Sequence, residues 1–463
     1  MASQGDHVRR ALLRRMYDAA VAVAHPARCL PLHLSEVPRD GRLIVVGAGK
    51  AGAAMAVAAG EHYTKLLPSP SWGGVGGGGG QATSVRVSPT PVPSPQGGGG
   101  PRVTGAVVTR HGFALPPVLI GITEAGHPVP DAGSVRGAMR ALELAHGAGE
   151  HDVVLCLLSG GASALWSAPV AGVTLEAKQA LTRTLLRAGA RISEINCVRR
   201  HISAIKGGRL AAAAHPARII TLAISDVPGD DPAVIGSGPT VPDSTTLADA
   251  REVLARFGIT PPPEIAAALA DPANETLKPG ARELATARYE LIATPKASIE
   301  AGAALARASG YEVVMLGDAL EGEARGVAAA HARLALDAQR QGRRVAILSG
   351  GELTVTVTGS GAGGPNQEYA LGLVVALNGA TGISALAADT DGIDGGGGYA
   401  TDPAGAVVGE DSLARAASRQ LNPATFLANN DSTRFFAALD DLVRCGPTQT
   451  NVNDFRAILI DPE

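Results

Sequence analysis

A lysine in a glycine-rich turn is the first residue of this chain that could act on an anion. The apolar run LIVVG leads into GAGKAG, which contains Gly49 and Lys50 and precedes an alanine-rich, helix-like segment. The spacing matches the GxGxxG fingerprint, but a dinucleotide site also needs an acidic residue about 20 positions later. No Asp or Glu lies between Glu61 and Glu124, so NAD is disfavoured. Because alanine follows Lys50, a P-loop is excluded as well. The turn then predicts a lysine at an anion-attracting helix N-terminus, with a tight turn that carries a solvated lysine as the alternative.

A second apolar run, VVLCLL, ends in the same kind of turn. Ser159, Gly160 and Gly161 follow it and lead into another helix start. Glycines let the backbone approach a ligand closely, and the serine offers a hydroxyl group. This turn predicts a cradle for a carboxylate or a phosphate, with a plain strand-to-helix turn as the alternative.

The segment INCVRRHISAIKGGRL predicts a helix with one cationic face. Four polar side chains have the spacing that places them on one side of a helix: Asn196, Arg199, Ser203 and Lys206. Few acidic residues lie nearby, so this face indicates a basic wall against an anionic substrate. An ordinary solvated face is the alternative. Arg200 and His201 lie off this face and are expected at the surface.

Aspartates follow apolar runs at two places. Asp226 opens DVPGDD after RIITLAI, and Asp389 and Asp391 lie in DTDGIDG after a run in the second half. Ligands bind at the carboxyl ends of parallel strands, and Mg²⁺ takes one or two carboxylates together with phosphate and water. Asp226, Asp389 and Asp391 are therefore candidate magnesium ligands. Turns closed by aspartate side chains are the alternative.

Other polar residues flank glycine-rich loops of the second half. Glu352 follows SGG, while Asn366 and Glu368 follow GSGAGGP and open a helix. A helix N-terminus at this point would again face an anion. Near the C-terminus, GPTQTNVNDF places Asn451 and Asn453 in a polar turn. These residues are candidates for substrate or phosphate binding.

Composition limits the function classes. The chain has 463 residues, 45% of them hydrophobic, and a formal net charge of −3, which does not resemble a nucleic-acid binder. No apolar run approaches the roughly 20 residues that span a bilayer, and the N-terminal segment predicts an amphipathic helix. The four cysteines form no metal-binding pattern and indicate free thiols. We expect a soluble, cytoplasmic protein without membrane or nucleic-acid partners, and a homodimer is one assembly open to it.

The order of apolar runs predicts an α/β fold. Continuous apolar runs alternate with helix-like segments, which favours a largely parallel sheet. ELTVTVTG alternates strictly and predicts a half-exposed, antiparallel strand over 353–358. The Gly/Pro/Ser-rich stretch 66–103 predicts a flexible surface insertion. A composition shift near 243–262 places the first domain at 1–245 and the second at 246–463.

Ten blocks in a fixed order resemble one known family. They are VVGAGKA, GHPVPD, LSGGASAL, INCVRRHISAIKGGRLA, SDVPGDD…GSGPTVPD, SGGEL, GGPNQE, DTDGIDG, NNDS and GPTQTNVND. Together they look like the glycerate 2-kinases of the MOFRL family, which includes bacterial enzymes once named hydroxypyruvate reductases. The resemblance covers about residues 8–461 except the insertion.

The resemblance implies a Rossmann-like N-terminal domain, a second α/β domain with the MOFRL region at 342–458, and an active site in the cleft between them. It implies ATP, a divalent metal and D-glycerate, with 2-phosphoglycerate as product, and it makes Lys50 catalytic. One feature departs from the family. Relatives often carry an arginine in the loop before NQE, where this chain has Ala362 and Pro365.

We therefore predict a kinase in which Lys50 contacts the transferring phosphate or the glycerate carboxylate. Ser159–Gly161, Asn196, Arg199 and Lys206 would hold anionic ends, and Arg199 or Lys206 would supply the charge of the missing arginine. Asp226 or Asp389 would bind Mg²⁺ or accept the hydroxyl proton. An NAD(P)H-dependent hydroxypyruvate reductase and a non-catalytic regulator that binds sugar acids or nucleotides are the alternatives.

Overall fold

The computed structural model describes residues 3–66 and 102–462, and it folds them around two six-stranded sheets. The predicted insertion at 66–103 lies almost wholly outside the described residues. Within the described residues, no helix is both long and apolar enough to cross a bilayer. All four cysteines are free.

The first sheet is parallel throughout. Its strands are β1 Leu43–Ala48, β2 Val103–Arg110, β3 Gly121–Ala125, β4 Val153–Leu158, β5 Arg218–Ile224 and β6 Ala287–Ala293. Their spatial order is β3-β2-β1-β4-β5-β6. This is the order of a doubly wound dinucleotide-binding sheet, as the Rossmann-like prediction requires. β1 and β4 are buried along their whole length, because helices cover both faces of the sheet.

The second sheet is mixed. Its strands are β7 Glu312–Met315, β9 Val345–Ser349, β11 Ile383–Asp389, β12 Gly405–Val408, β13 Leu442–Val443 and β14 Asp454–Ile460. Their order is β13-β12-β11-β14-β9-β7, and only β7 and β9 pair in parallel. The short strands β8 Gly322–Glu323 and β10 Leu353–Thr354 form a separate parallel pair.

Sixteen α-helices pack on these sheets within the described residues. They are α1 Gln4–Ala24, α2 Pro26–Cys29, α3 Gly52–Leu66, α4 Ala132–His146, α5 Ala162–Leu165, α6 Leu175–Arg187, α7 Ile192–His201, α8 Arg209–Ala214, α9 Leu247–Arg256, α10 Pro263–Ala270, α11 Pro295–Ala308, α12 Ala324–Arg340, α13 Pro365–Leu377, α14 Ser412–Ser418, α15 Pro423–Ala428 and α16 Ser432–Leu439.

The domain limits predicted from composition do not coincide with the two sheets. Strand β6 pairs with β5 of the first sheet, although it lies beyond residue 245. Helices α9 and α10 share an apolar core with α6 and α7, so the composition shift marks a helical excursion within the first domain. Helix α1 instead packs on the second sheet, where Leu13, Met16 and Tyr17 meet Phe455 and other buried residues.

The predicted strand at 353–358 was wrong in length and direction. Only Leu353 and Thr354 pair, and they pair in parallel with β8. Beyond them, side chains satisfy the backbone: the Thr356 amide donates to Glu323, and the Thr358 amide donates to Asn430. Strict alternation of apolar and polar residues is thus not sufficient to form a strand. Here, side chains make the backbone hydrogen bonds that a neighbouring strand would otherwise make.

Candidate functional site

The two glycine-rich turns meet where the strand order of the first sheet reverses. β1 and β4 are neighbours, and Gly49-Lys50 and Ser159-Gly160 follow their carboxyl ends. The Lys50 amide donates to the Gly160 carbonyl (2.7 Å), and the Ala51 amide donates to Ser159 Oγ (3.0 Å). Ligands of doubly wound sheets bind at this reversal point.

These bonds correct the expectation that the backbone of the first turn attracts an anion. The amides of Gly49, Lys50, Ala51 and Gly52 all donate to protein acceptors. Only the side chain of Lys50 reaches toward the second domain, where Nζ lies 2.8 Å from Oδ2 of Asp391. The turn therefore presents a lysine ammonium, with its amides already engaged.

The second turn is the one with open amides. Within the described residues, the amides of Gly160 and Gly161 have no hydrogen-bond acceptor. A Cβ at Gly160 would lie 1.8 Å from Oδ2 of Asp226, and a Cβ at Gly161 would lie 2.9 Å from the His127 ring. Glycine is required at both positions because the backbone passes this close to polar side chains. Asp226 and His127 thus border a backbone surface that can receive an anion.

A cavity of about 180 Å³ lies in front of Lys50, between the two domains. Its lining combines that lysine with carboxylates and amides: Lys50, Asp226, Glu352, Pro365, Asp389, Asp394, Gly395, Asn451, Asn453 and Asp454. Two polar contacts join the domains at its wall. Asn451 Nδ2 donates to Asp226 Oδ2 (2.7 Å), and Asn453 Nδ2 donates to the Asp226 carbonyl (3.2 Å). The cleft predicted between the domains is therefore lined by candidate residues from both.

Electrostatics favours a charged lysine here. Burial opposes the charge of Lys50, but the carboxylates of Asp391, Asp389 and Asp226 outweigh this and raise its pKa. Burial raises the pKa of Asp226, against the effect of Lys50. Burial, together with the neighbouring Asp391, raises the pKa of Asp389 well above its usual range. The cavity thus holds more carboxylates than its single lysine can balance.

Asp391 does not take the position predicted for a metal ligand. Its Oδ2 contacts Lys50, and its Oδ1 accepts from the Ile393 amide (2.9 Å). It is also absent from the lining of the cavity, where Asp454 lies instead. Within the described residues, no three acidic, histidine or cysteine side chains already converge as a metal-binding group. Asp226 and Asp389 face the cavity, whereas Asp391 is engaged by the lysine.

The N-terminus of helix α13 is already occupied by a side chain of the protein. The carboxylate of Asp394 accepts from the amides of Asn366 (2.9 Å) and Gln367 (2.8 Å). Burial raises the pKa of Asp394 to about 7 despite these bonds. The expectation that this helix end faces a substrate anion was therefore wrong, because an internal carboxylate satisfies the helix amides.

Of the two residues predicted on α13, one lies beside the cavity and one does not. Asn366 Nδ2 donates to Asp454 Oδ1 (2.6 Å), so it supports a cavity-lining carboxylate. Glu368 instead accepts from Arg325 Nε (2.6 Å) and Asn430 Nδ2 (3.2 Å) inside the second domain. Glu368 is two helical positions after Asn366, faces these partners and is absent from the lining of the cavity, so its contacts do not support the predicted role as a ligand of substrate or phosphate.

The predicted basic face is not a helix face. Helix α7 ends at His201, so Ser203 and Lys206 lie beyond it. Arg199 and Lys206 nevertheless converge, since both donate to the Ser163 carbonyl, at 3.1 and 3.0 Å. Asn196 is buried beside Arg199 and accepts from it at 3.4 Å. These residues lie behind the second turn and not in the lining of the cavity.

Arg200 and His201 were expected at the surface, and both are buried. Arg200 Nε lies 2.9 Å from Asp243, and His201 Nε2 lies 3.0 Å from Glu275. Acidic partners from distant segments cover them, which a helix pattern alone does not reveal.

Three further residues of the cleft were not singled out by the sequence: Arg110, His127 and Asp454. Arg110 ends β2, lies 4.0 Å from Asp391 and donates to the Gly398 carbonyl of the second domain. His127 borders Gly161, and burial together with Lys50 lowers its pKa to about 3. Asp394 and Asp454 complete the acidic side. Arg110 directly follows the apolar-rich run VTGAVVT, and His127 lies in the GHPVPD block, so the sequence contained an indication of both residues.

Comparison with known proteins identifies relatives of the whole chain. Residues 12–270 match DUF4147, a domain of unknown function, and residues 345–454 match the MOFRL family. A protein of Agrobacterium vitis, provisionally named a hydroxypyruvate reductase, is 47% identical over 97% of this chain and 94% of its own length. The D-glycerate 2-kinase of Thermotoga maritima is 39% identical over 76% of this chain and 82% of its own.

A solved structure agrees with these relatives. The crystal structure of glycerate kinase from Thermotoga maritima superposes with a TM-score of 0.81 and 34% sequence identity. The match covers 98% of this chain and 100% of that one. The two-domain arrangement is thus shared along the chain.

Proposed function

Because the chain belongs to the family of DUF4147 and MOFRL proteins that includes glycerate 2-kinases, we propose that it phosphorylates D-glycerate with ATP. The glycerate 2-hydroxyl oxygen attacks the γ-phosphorus, the bond to the β–γ bridging oxygen breaks, and 2-phosphoglycerate and ADP leave. One observation carries the proposal: a charged lysine faces an excess of carboxylates across a cavity at the reversal point of the first sheet.

The first domain supplies the contacts to anions. Lys50 neutralises the transferring phosphoryl group or the glycerate carboxylate, and the open amides of Gly160 and Gly161 hold an anionic end beside it. Arg199 and Lys206 supply basic groups behind the same loop, and the neutral amide of Asn196 accepts a hydrogen bond from Arg199. Phosphoryl transfer depends mainly on positioning and charge neutralisation, which this arrangement supports.

The second domain supplies most of the carboxylates. Asp226 or Asp389 accepts the proton of the attacking hydroxyl, and the raised pKa of each makes that transfer easier near neutral pH. Carboxylate and amide oxygens from Asp226, Asp389, Asn451 and Asn453 are the hard donors that Mg²⁺ prefers. Bound there, the ion would neutralise phosphate charge, with one or two carboxylates as its protein ligands.

The name hydroxypyruvate reductase, carried by two relatives from Agrobacterium vitis, requires a nicotinamide site. Such a site binds the pyrophosphate with amides of the first glycine turn and the ribose with an acid after the second strand. In this chain those amides donate to Ser159, Gly160 and other protein acceptors, and Arg110 ends the second strand. These features favour the kinase over the reductase.

Two assays on the same preparation test the proposal. We expect ADP release that requires D-glycerate, ATP and Mg²⁺ together, and no oxidation of NADH or NADPH at 340 nm with hydroxypyruvate. Glycerate-independent ATP turnover, or reduction of hydroxypyruvate, would contradict the kinase. A cytoplasmic location and a homodimer stay predictions; fractionation and light scattering would test them.

A further inference from the structure

A group of buried basic side chains lies behind the second glycine turn, without acidic partners among the described residues. Lys178 on α6 is 4% exposed, and its Nζ has no hydrogen-bond partner in the part of the chain that the structure describes. Lys206 is fully buried, and its Nζ donates to the carbonyls of Ser163 (3.0 Å) and Gly236 (3.2 Å). Arg199 donates to the same Ser163 carbonyl. Two of these basic groups thus share one carbonyl oxygen, and the amine of the third makes no hydrogen bond to any described residue.

Acidic residues of this region are engaged elsewhere. Asp243 pairs with Arg200 at 2.9 Å, and Glu275 pairs with Lys278 at 2.6 Å and with His201. The charged groups that influence Lys178 are Arg199 and Arg209, and those that influence Lys206 are Arg199, Lys178 and Arg200. Within residues 3–66 and 102–462, the three cations have no carboxylate partner. Such a group is costly to bury unless an anion completes it.

The position of the group indicates which anion. Ser163, whose carbonyl oxygen Arg199 and Lys206 share, lies three residues after Gly160, so its backbone is at most about 10 Å from the residue that bonds the Lys50 amide. The hydroxyls of Ser163 and Ser237 are 2.7 Å apart at the same place and can donate to oxygen atoms. A chain of linked phosphates is long enough to extend from this group to Lys50.

We propose that Lys178, Arg199 and Lys206 form a pocket for the non-transferred phosphates of the nucleotide. The proposal rests on the kinase function above and names the part of the site that takes the triphosphate. Glycerate, a small monoanion, stays at Lys50 and the carboxylate side of the cleft. Lys178 therefore determines affinity for ATP and not for glycerate.

Lys178→Met tests this proposal, because methionine keeps the length of the side chain and removes the amine. Losing one charge-assisted contact to phosphate should raise the KM for ATP about tenfold or more. The KM for glycerate should stay unchanged. The melting temperature of the ligand-free variant should be equal or higher, because an unpartnered buried amine is removed. Lys296→Met, at an exposed position of α11, is the matched control.

Binding of inorganic tripolyphosphate separates this proposal from the kinase function, since it needs no turnover. Tripolyphosphate should raise the melting temperature of the wild type and of Lys296→Met, but not of Lys178→Met. Burial, with Arg199 and Arg209 nearby, lowers the pKa of Lys178 to about 7, so this amine is mostly neutral at pH 8. A bound polyanion favours the ammonium form, and calorimetry at pH 8 in two buffers should detect proton uptake by the wild type.

The outcomes are distinct. An unchanged KM for ATP in Lys178→Met, or a rise confined to the KM for glycerate, would overturn the pocket. If Lys178→Met does not fold, Lys178→Gln replaces it. Calorimetry on the wild type is independent of both variants. If the wild type does not bind tripolyphosphate, or binds it without proton uptake, the proposal is overturned. A wild type that binds tripolyphosphate but does not phosphorylate glycerate would refute the kinase and leave the pocket standing.

Discussion

The two sides of the cleft differ in charge. The first domain brings Lys50, Arg110 and the buried cations behind Ser163, with Asp226 as its carboxylate in the cavity. The second brings Glu352, Asp389, Asp394 and Asp454. Burial raises the pKa of Asp389 and Asp454 on the second side and lowers the pKa of Lys206 on the first, whereas nearby carboxylates raise the pKa of Lys50. This difference in charge supports the proposed ligand, a nucleotide with its metal ion, because that ligand carries both signs of charge.

Removing the lysine should have the largest effect. Lys50→Ala should lower kcat by about 100-fold or more, on the scale of losing one preorganised charge in a water-excluded site. Steady-state kinetics measures this, with circular dichroism to show that the fold is intact and Lys296→Ala as control. Near-normal turnover would remove Lys50 from the reaction.

A pair of variants can separate the roles of two aspartates on the acidic side of the cleft. Asp389→Asn should raise the Mg²⁺ concentration for half-maximal activity about tenfold or more, because a cavity-lining carboxylate is lost. Asp391→Asn should leave that concentration nearly unchanged and lower kcat, because Asp391 contacts Lys50. Magnesium titrations of both variants measure these effects. A raised Mg²⁺ requirement in Asp391→Asn but not in Asp389→Asn would show that Asp391 is the metal ligand.

Arg110 links the two sides, and its geometry should matter more than its charge. The guanidinium bonds the Gly398 carbonyl, approaches Asp391 and stacks 4.2 Å from the Phe113 ring centre. Arg110→Lys keeps the charge but loses the planar fork, so kcat/KM should fall about tenfold. Equal activity of the lysine variant would show that the positive charge at this position is sufficient and that the planar geometry of the guanidinium does not matter.

The close approach of the second turn can be tested by adding one methyl group. Gly160→Ala places a Cβ against Asp226 and Asn451 and should cost about 1–3 kcal/mol of the free energy of unfolding. Gly326→Ala, in helix α12 with open space around it, should instead stabilise the protein by about 0.5–1 kcal/mol. Denaturant unfolding of both proteins measures the difference. Equal effects would mean that the turn yields easily.

A pH effect of smaller size should come from His127. Its pKa of about 3 in the folded protein lies below the ordinary value of 6.5. At pH values between these two pKa values, the unfolded chain therefore binds more protons than the folded protein. The free energy of unfolding should therefore fall as pH decreases from 7 to 5, by on the order of 1 kcal/mol from this residue. His127→Gln should show a shallower fall in denaturant unfolding, and identical slopes would contradict the neutral, buried histidine.

Much of the first domain could be predicted from the sequence because its buried strands are continuous apolar runs. The edge strand β3, which reads GITEA and is partly exposed, gives no such signal. Strand β14, which reads DFRAILI, carries charges that pair internally, since Arg456 lies 2.8 Å from Asp454. The apolar pattern alone does not predict that such charges can be buried.

The candidate site could be predicted where a polar residue directly follows a strand. It could not be predicted where contacts between distant parts of the chain determine the partners of a residue. Lys50, Asp226 and Asp389 follow apolar runs and lie at the cavity. The partner of the α13 amides, Asp394, is 28 residues from Asn366, and the contact of Lys50 with Asp391 spans 341 residues. Helix α7 ends at His201, because the chain turns away from helical backbone angles at Ile202. Helical spacing could not anticipate that turn.

Identifying the product tests the central claim most directly. Purified enzyme with ATP, Mg²⁺ and D-glycerate should yield one phosphorus resonance that couples to the C2 proton of glycerate, together with ADP. This result would establish transfer to the 2-hydroxyl. A signal that couples to the C3 protons, or inorganic phosphate alone, would contradict the account.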